Sequence, residues 1–151
     1  TYLRNPTEIV TSVQEGLKLT IVAVNNLGFG SIGSLSHSLG SAGFGTYFRK
    51  RDEETHQLTG DQLPVNFAMN AASLGAKVLE ADTIEGFKDA LKQARGMKET
   101  VVIVVRTDRE EKVPGYESWW DVAVAETSQM ESVRKARKDY EVQQKKEKYY
   151  F

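Results

Sequence analysis

The sequence predicts an α/β fold: a parallel sheet with helices on both faces, followed by a C-terminal extension with a charged helix. Three observations carry this. Short β-rich runs alternate with amphipathic segments in the order helix, strand, helix, strand, helix, strand, which implies right-handed crossovers onto a parallel sheet. The run at 19–24 is nearly continuous in apolarity, as a strand covered on both faces would be. Helix-start signals precede the helical segments. A length of 151 residues suits one compact unit of this size, so the division expected is an α/β domain over residues 1–110 and an extension over 111–151 packed on it.

Taken in order, Asn5-Pro6-Thr7-Glu8 supplies an N-cap acceptor, a proline at the first helical position and a glutamate three residues after the cap. The helix it starts carries Ile9, Val13 and Leu17 on one face, and Gly16 is placed to close it in the left-handed conformation. Leu19–Val24 reads as an interior parallel strand. Between Gly28 and Gly45 six of eighteen residues are glycine, interleaved with serines, a density that predicts a loop and no regular helix.

Beyond Pro64, Asn66 caps a second helix whose face is Phe67, Ala68, Ala71 and Leu74, closed by Gly75. A strand follows at Lys77–Glu80. Asp82 with Glu85 makes a further cap-like pair, ahead of Ile84, Phe87, Leu91 and Ala94 at helical spacing. Val101–Arg106 is the last strand. The pattern then changes to an aromatic insert, Gly115-Tyr116-Glu117-Ser118-Trp119-Trp120-Asp121, and to a charged helix over about 130–148 with a narrow apolar stripe of Val133, Ala136 and Tyr140.

Composition removes several function classes. Twenty basic against 21 acidic residues give a net charge of −1, without the overall positive field that holds a phosphate backbone, so no nucleic-acid partner is expected. No apolar run approaches the roughly 20 residues needed to cross a bilayer, so no membrane span is expected either. The absence of cysteine rules out a disulfide, a thiolate nucleophile and a Cys-ligated zinc, and fits a reducing, cytoplasmic setting. The start Thr1-Tyr2-Leu3-Arg4 has neither an initiator Met nor a signal peptide and reads as the inside of a longer protein.

Gly28-Phe29-Gly30-Ser31-Ile32-Gly33 matches G-x-G-x-x-G and follows a strand. The dinucleotide device also needs the last glycine to open a helix and a carboxylate about 20 residues on, at the end of the next strand. Here the following residues stay rich in Gly and Ser and no strand arrives for tens of residues. More informative is Asn25-Asn26 at the carboxyl end of a strand, the position where open α/β sheets bind ligands. An Asn amide oxygen and a backbone carbonyl beside a glycine are hard, neutral donors suited to a Mg²⁺ ion that also grips a diphosphate. The same residues also suit a plain side-chain-capped turn, and spacing alone does not separate the two.

The segment Thr1-Tyr2-Leu3-Arg4-Asn5-Pro6-Thr7-Glu8-Ile9-Val10 through Asn25-Asn26-Leu27-Gly28 resembles the magnesium and diphosphate segment of thiamine-diphosphate enzymes, which opens with Gly-Asp-Gly and closes with Asn-Asn. The Gly-Asp-Gly would precede Thr1. The run from Pro64 to Asp108 is similar to the rest of that family's C-terminal cofactor domain. The tail from Val113 through Trp119-Trp120 to Ala136 resembles a branch that hydrolyses a cyclic polyhydroxylated 1,2-dione in myo-inositol breakdown.

The resemblance implies a thiamine-diphosphate-binding fold lacking its N-terminal part, with Asn26 donating its side-chain oxygen and Gly28 its carbonyl to Mg²⁺. It implies that Thr1, Asn26, Gly28, Phe29 and Gly30 contact the cofactor, that Asn25 braces the loop, and that the Glu activating the cofactor lies in an N-terminal domain of a second subunit. The implied reaction cleaves the bond between two carbonyl carbons of the dione to give 5-deoxy-glucuronate. The Gly/Ser-rich loop is its candidate substrate reader, and His37, flanked by Ser36 and Ser38, is a catalytic candidate, although a loop histidine is more often simply exposed. His56 reads as surface, and Tyr116, Trp119 and Trp120 as packing residues. An acetolactate-synthase-like carboligase or decarboxylase, or a non-catalytic binding module, remain the alternatives.

Overall fold

The computed structural model describes residues 2–111, 113 and 119–148. The chain divides into two compact units, residues 1–26 with 64–109 and residues 27–63 with 110–151. The first holds a 3-10 turn Tyr2–Arg4, α1 (Glu8–Gln14), β1 (Thr20–Asn25), α3 (Phe67–Ser73), β2 (Lys77–Ala81), α4 (Ile84–Gly96) and β3 (Val101–Arg106). The second holds α2 (Gly30–Ser38) and α5 (Glu131–Gln144).

In the first unit the three strands form a parallel sheet in the order β1-β3-β2. Its centre is the most apolar run of the chain: Val101, Val102, Ile103 and Val104 are all buried, so both faces of β3 are covered. Val101 and Ile103 pack with Ala90 and Ala94 of α4, and Leu79, Phe87 and Leu91 complete that cluster. The alanines let the helix approach the sheet closely. α3 also lies against β2 and β3, with Ala71 fully buried and the Tyr2 ring edge-on to Phe67.

One hydroxyl joins the starts of these elements. Thr100 Oγ1 donates to the Leu17 carbonyl (3.0 Å), accepts from the Leu19 N–H (3.1 Å), and lies 2.6 Å from Ser12 Oγ. Ser12 Oγ also lies 3.2 Å from the Ile9 carbonyl, so two hydroxyl protons serve both carbonyls and the Ser12–Thr100 contact, in which either hydroxyl can donate, and Thr100 Oγ1 is saturated with three partners. The Thr100 carbonyl accepts from Lys77 N–H at the start of β2, and Val101 N–H donates to the Leu19 carbonyl ahead of β1. Thr100 and Ser12 are both buried, so these bonds are made out of water.

Several expectations are corrected here. The strand predicted as interior, β1, is an edge strand of the described sheet; only Ala23 is buried, and Val22 and Val24 are 41% and 60% exposed. Apolarity records what a strand can bury and not who its neighbours are. In α1, Gly16 does close the helix with φ +63°, and Leu17 N–H reaches the Ser12 carbonyl. The buried pair, however, is Ile9 and Ser12, while Val13 and Leu17 are exposed; the cap position is Thr7, with Asn5 Oδ1 accepting from the Thr7 hydroxyl. The cap of α4 is Thr83, whose Oγ1 accepts from Gly86 N–H, not Asp82, and Ile84 is exposed. Asn66 caps α3 as expected, accepting from Met69 N–H.

The second unit overturns the loop expected over 28–45. Residues 30–38 form α2, whose Gly33 is buried and donates its N–H to the Phe29 carbonyl. Two helical glycines cost on the order of 1 kcal/mol each. The helix forms despite that cost, with Gly33 buried in it. The turn-forming glycines are the later ones, Gly40, Gly43 and Gly45, all with positive φ. A Cβ on Gly40 would stand 2.5 Å from the Ser132 carbonyl oxygen, and Ser132 Oγ donates to the Gly40 carbonyl, so only glycine admits the start of α5 here.

α5 packs through Val133, Ala136 and Tyr140 against Leu39 and Val124, the stripe predicted for it, and ends earlier than expected. Its charges are partly structural: Arg137 pairs with Glu141 at 2.8 Å, donates to the Val124 carbonyl and lies over the Tyr140 ring. Tyr140 donates to Asp121 at 2.9 Å and accepts from Gln144.

Replacing the saturated hydroxyl, Thr100→Val, strands buried partners and is expected to lower unfolding free energy by about 1–3 kcal/mol in urea melts, with Thr100→Ser retaining most of it. The Tyr140 phenol is held above its ordinary value, first by its bond to the Asp121 carboxylate and then by burial. The folded state therefore keeps the proton longer than the unfolded chain, so this stabilisation is complete below the ordinary tyrosine value of about 10 and is lost as pH rises beyond it. Tyr140→Phe is expected to flatten the alkaline limb of stability against pH.

Candidate functional site

The candidate residues cluster along the chain where β1 ends. Asn25, its last residue, pairs with Arg106 in register, and its carbonyl accepts from Thr107 N–H at 3.2 Å. This anchors the strand end from which Asn26 follows. Asn26 is half-buried, and among the described residues its side chain enters no hydrogen bond. A carboxamide used to cap the turn would be engaged with a backbone N–H; this one leaves its oxygen free to serve as a donor atom.

Leu27 is left-handed, with φ +61°, a conformation uncommon for a residue with a side chain. Its carbonyl accepts from Phe48 N–H (3.0 Å), and Phe29 N–H donates to the Thr46 carbonyl (2.8 Å). Those two bonds flank an antiparallel bridge between Gly28 and Tyr47. Gly28 thus sits at a pair whose bonds are made by its neighbours, and among the described residues its own carbonyl accepts none. The Phe29 ring stands edge-on to Phe48 and is 40% exposed, and Gly30 is the first residue of α2.

Helix α2 opens at the second glycine of the G-x-G-x-x-G string, not the third, and the next strand in sequence begins only at Lys77. The dinucleotide arrangement is therefore absent from the described residues. His37 is not in a loop: it occupies the last turn of α2, where its Nε2 lies 3.4 Å from the Tyr47 hydroxyl, which also reaches Glu110 Oε1 at 3.5 Å. Gly43 lies against it, since a Cβ there would stand 2.9 Å from His37 Nε2. His56 is exposed, with φ +55°, and its carbonyl accepts from Arg51. Thr1 and the 114–118 part of the aromatic insert, Tyr116 included, lie outside the described residues. Trp119 tilts against Tyr140, and Trp120 is largely exposed.

Among the described residues no three His, Cys, Asp or Glu side chains gather as a metal site. No described helix is long and apolar enough to cross a membrane. Among the described residues the Asn26 side chain in the first unit and the Gly28 carbonyl in the second each enter no hydrogen bond. Sequence reasoning found those oxygens from their place at a strand end. It missed Tyr47, whose link to Gly28 depends on a long-range bridge that no local pattern announces.

Residues 1–105 match the family model described as thiamine pyrophosphate enzyme, C-terminal TPP binding domain. The chain belongs to this family. Among curated proteins it is 39% identical over 135 residues to a 3D-(3,5/4)-trihydroxycyclohexane-1,2-dione hydrolase of Clostridium botulinum (strain Eklund 17B / Type B), covering 89% of this chain and 21% of the relative. It is 40% identical over 129 residues to 3D-(3,5/4)-trihydroxycyclohexane-1,2-dione hydrolase 2 of Bacillus cereus, covering 85% and 20%. A 36% identical protein named as the same hydrolase in Clostridium tetani is matched over 89% of this chain and 21% of its own length. The chain thus spans about a fifth of the length of the curated relatives it matches. The parallel sheet with flanking helices is the α/β arrangement expected of the thiamine-diphosphate-binding fold.

Left-handed backbone at Leu27 stores strain that a β-branched side chain would deepen. Leu27→Ile is expected to destabilise the chain by about 1–3 kcal/mol relative to Leu27→Gly in chemical denaturation.

Proposed function

We propose that this chain supplies the metal- and diphosphate-binding end of a thiamine-diphosphate-dependent hydrolase that opens a cyclic polyhydroxylated 1,2-dione to 5-deoxy-glucuronate in myo-inositol breakdown. The observation that carries the proposal is the pair of unengaged oxygens at Asn26 and Gly28, in a chain whose family binds thiamine pyrophosphate and whose relatives bear the name of that dione's hydrolase. The donor chemistry fits: an amide oxygen and a backbone carbonyl are hard and neutral, as Mg²⁺ prefers, and the ion's remaining charge calls for a carboxylate and for diphosphate oxygens. The carboxylate is assigned to a Gly-Asp-Gly segment, which this sequence does not contain.

Asn26 and Gly28 hold the ion, and Thr1, Phe29 and Gly30 complete the cofactor contacts, with the exposed Phe29 ring giving an apolar surface. Asn25 braces the turn through its carbonyl bond to Thr107. When bound, thiamine diphosphate supplies a carbanion nucleophile and an electron sink. The activating Glu and the rest of the substrate cavity come from other domains and a second, identical subunit in the cytoplasm. His37, linked through Tyr47 to Glu110, remains a weak candidate for proton transfer.

Calorimetry on the intact parent protein tests the assignment: Asn26→Ala is expected to weaken joint binding of Mg²⁺ and thiamine diphosphate at least about tenfold. Equal affinity in both proteins removes Asn26 as a ligand. Activity assays on the same protein are expected to show opening of the dione, whereas turnover of pyruvate with an inert dione points to a carboligase or decarboxylase.

A further inference from the structure

The second unit holds a cavity that none of these assignments uses. Its chain turns at Phe44-Gly45, where Thr46 N–H and Oγ1 both donate to the Gly43 carbonyl and Gly43 and Gly45 hold φ of +68° and +74°. It then folds back: Leu63 N–H donates to the Phe48 carbonyl, Lys50 N–H to the Asp61 carbonyl and Gly60 N–H to the Lys50 carbonyl, about the bridge of Arg49 with Gln62. Between the turn and residues 57–59 lies a cavity of about 430 Å³, within the size range of small-molecule sites.

Its lining is uneven in charge. Phe44 and Leu58 give it apolar walls, and Arg49 is the single charged residue among the described residues that line it. The four acids of the return, Asp52, Glu53, Glu54 and Asp61, lie outside the lining, and Asp52 Oδ1 is taken up by Glu54 N–H, Thr55 N–H and the Thr55 hydroxyl. Arg49 Nη1 donates to the Gly60 carbonyl at 3.0 Å, which fixes one end of the planar guanidinium. Among the described residues its other N–H groups have no partner and it enters no ion pair. Gln57 and Thr59 add a carboxamide and a hydroxyl, while the hydroxyl of Tyr47 is already shared by His37 and Glu110.

We propose that this cavity binds a small monocarboxylate with an apolar body, of the aryl-alkanoate kind. A carboxylate meets the open edge of a guanidinium through two parallel hydrogen bonds, and the body lies against Phe44 and Leu58. With one cation and no acid in the wall, a cationic ligand is repelled and a neutral one forfeits the charge-assisted bonds. A polyhydroxylated acid would bring hydroxyls against apolar walls that cannot satisfy them, so the selection runs against sugar acids. The inference does not rest on the cofactor assignment.

Titration of the full chain, followed by broadening of the ligand's ring-proton resonances, tests this. Phenylacetate is expected to saturate. Phenylacetamide, of the same shape without the charge, and phenethylamine, of the opposite charge, are expected not to saturate, and gluconate is expected not to displace phenylacetate. Arg49→Met and Phe44→Ser, both at exposed positions, are each expected to weaken phenylacetate binding about tenfold with the circular dichroism spectrum unchanged. The proposal is overturned if phenylacetate does not saturate, if the amide or the amine matches it, if gluconate displaces it, or if either substitution leaves its binding unchanged.

Discussion

The sheet is set in register by the hydroxyl and carbonyl of Thr100. The hydroxyl ties the residues on either side of the α1–β1 junction, Leu17 and Leu19, to the start of β3, and the carbonyl holds the start of β2. Three strands that are distant in sequence are thereby aligned at one end, so the ladder that follows pairs Thr20 and Lys77 with the same residue, Val101. Because a one-residue slip would turn every side chain to the opposite face, the position of Asn25 at the far end of β1 follows from a bond made at the near end. The end of the strand from which Asn26 follows is therefore placed by bonds made at the strand's other end.

Much of the first unit was legible because its elements are locally self-consistent. β3 matches its predicted bounds, Val101–Arg106, since a continuous run of β-branched residues has one stable use. Asn66 caps α3, and Gly16 and Gly75 close their helices in the left-handed conformation, because those roles depend on side chains a few residues apart. The edge position of β1 was not legible, since the order of strands is decided by crossovers and not by composition. Thr83 displaced Asp82 as the cap of α4 by one residue, a choice between two competent acceptors that only backbone geometry resolves.

The glycine-rich stretch shows where local reasoning fails. Average propensity described 28–45 as loop, but its glycines occupy different settings: Gly33 is buried within α2, and Gly40, Gly43 and Gly45 turn the chain with positive φ. Of the candidate site, the place of Asn26 directly after β1 was legible from the strand pattern. The left-handed Leu27 and the bridge from Gly28 to Tyr47 were not, because the bonds around them join residues far apart in sequence, and His37 was placed in a loop by glycine content although it lies within α2. Of the tryptophans read as packing residues, Trp119 tilts against the Tyr140 ring while 39% exposed, and Trp120 is 71% exposed.

The edge position of β1 has a consequence of its own. A strand hydrogen-bonded on one side only presents, along the other, a row of backbone donors and acceptors that acts as a template for a further strand. Edges are commonly blunted by lysine, proline or a bulge, yet Thr20-Ile21-Val22-Ala23-Val24-Asn25 carries no charge and no proline, and it pairs with β3 without interruption. The described sheet is therefore extensible in that direction, and concentrated preparations of the chain by itself call for conditions that discourage intermolecular sheet growth.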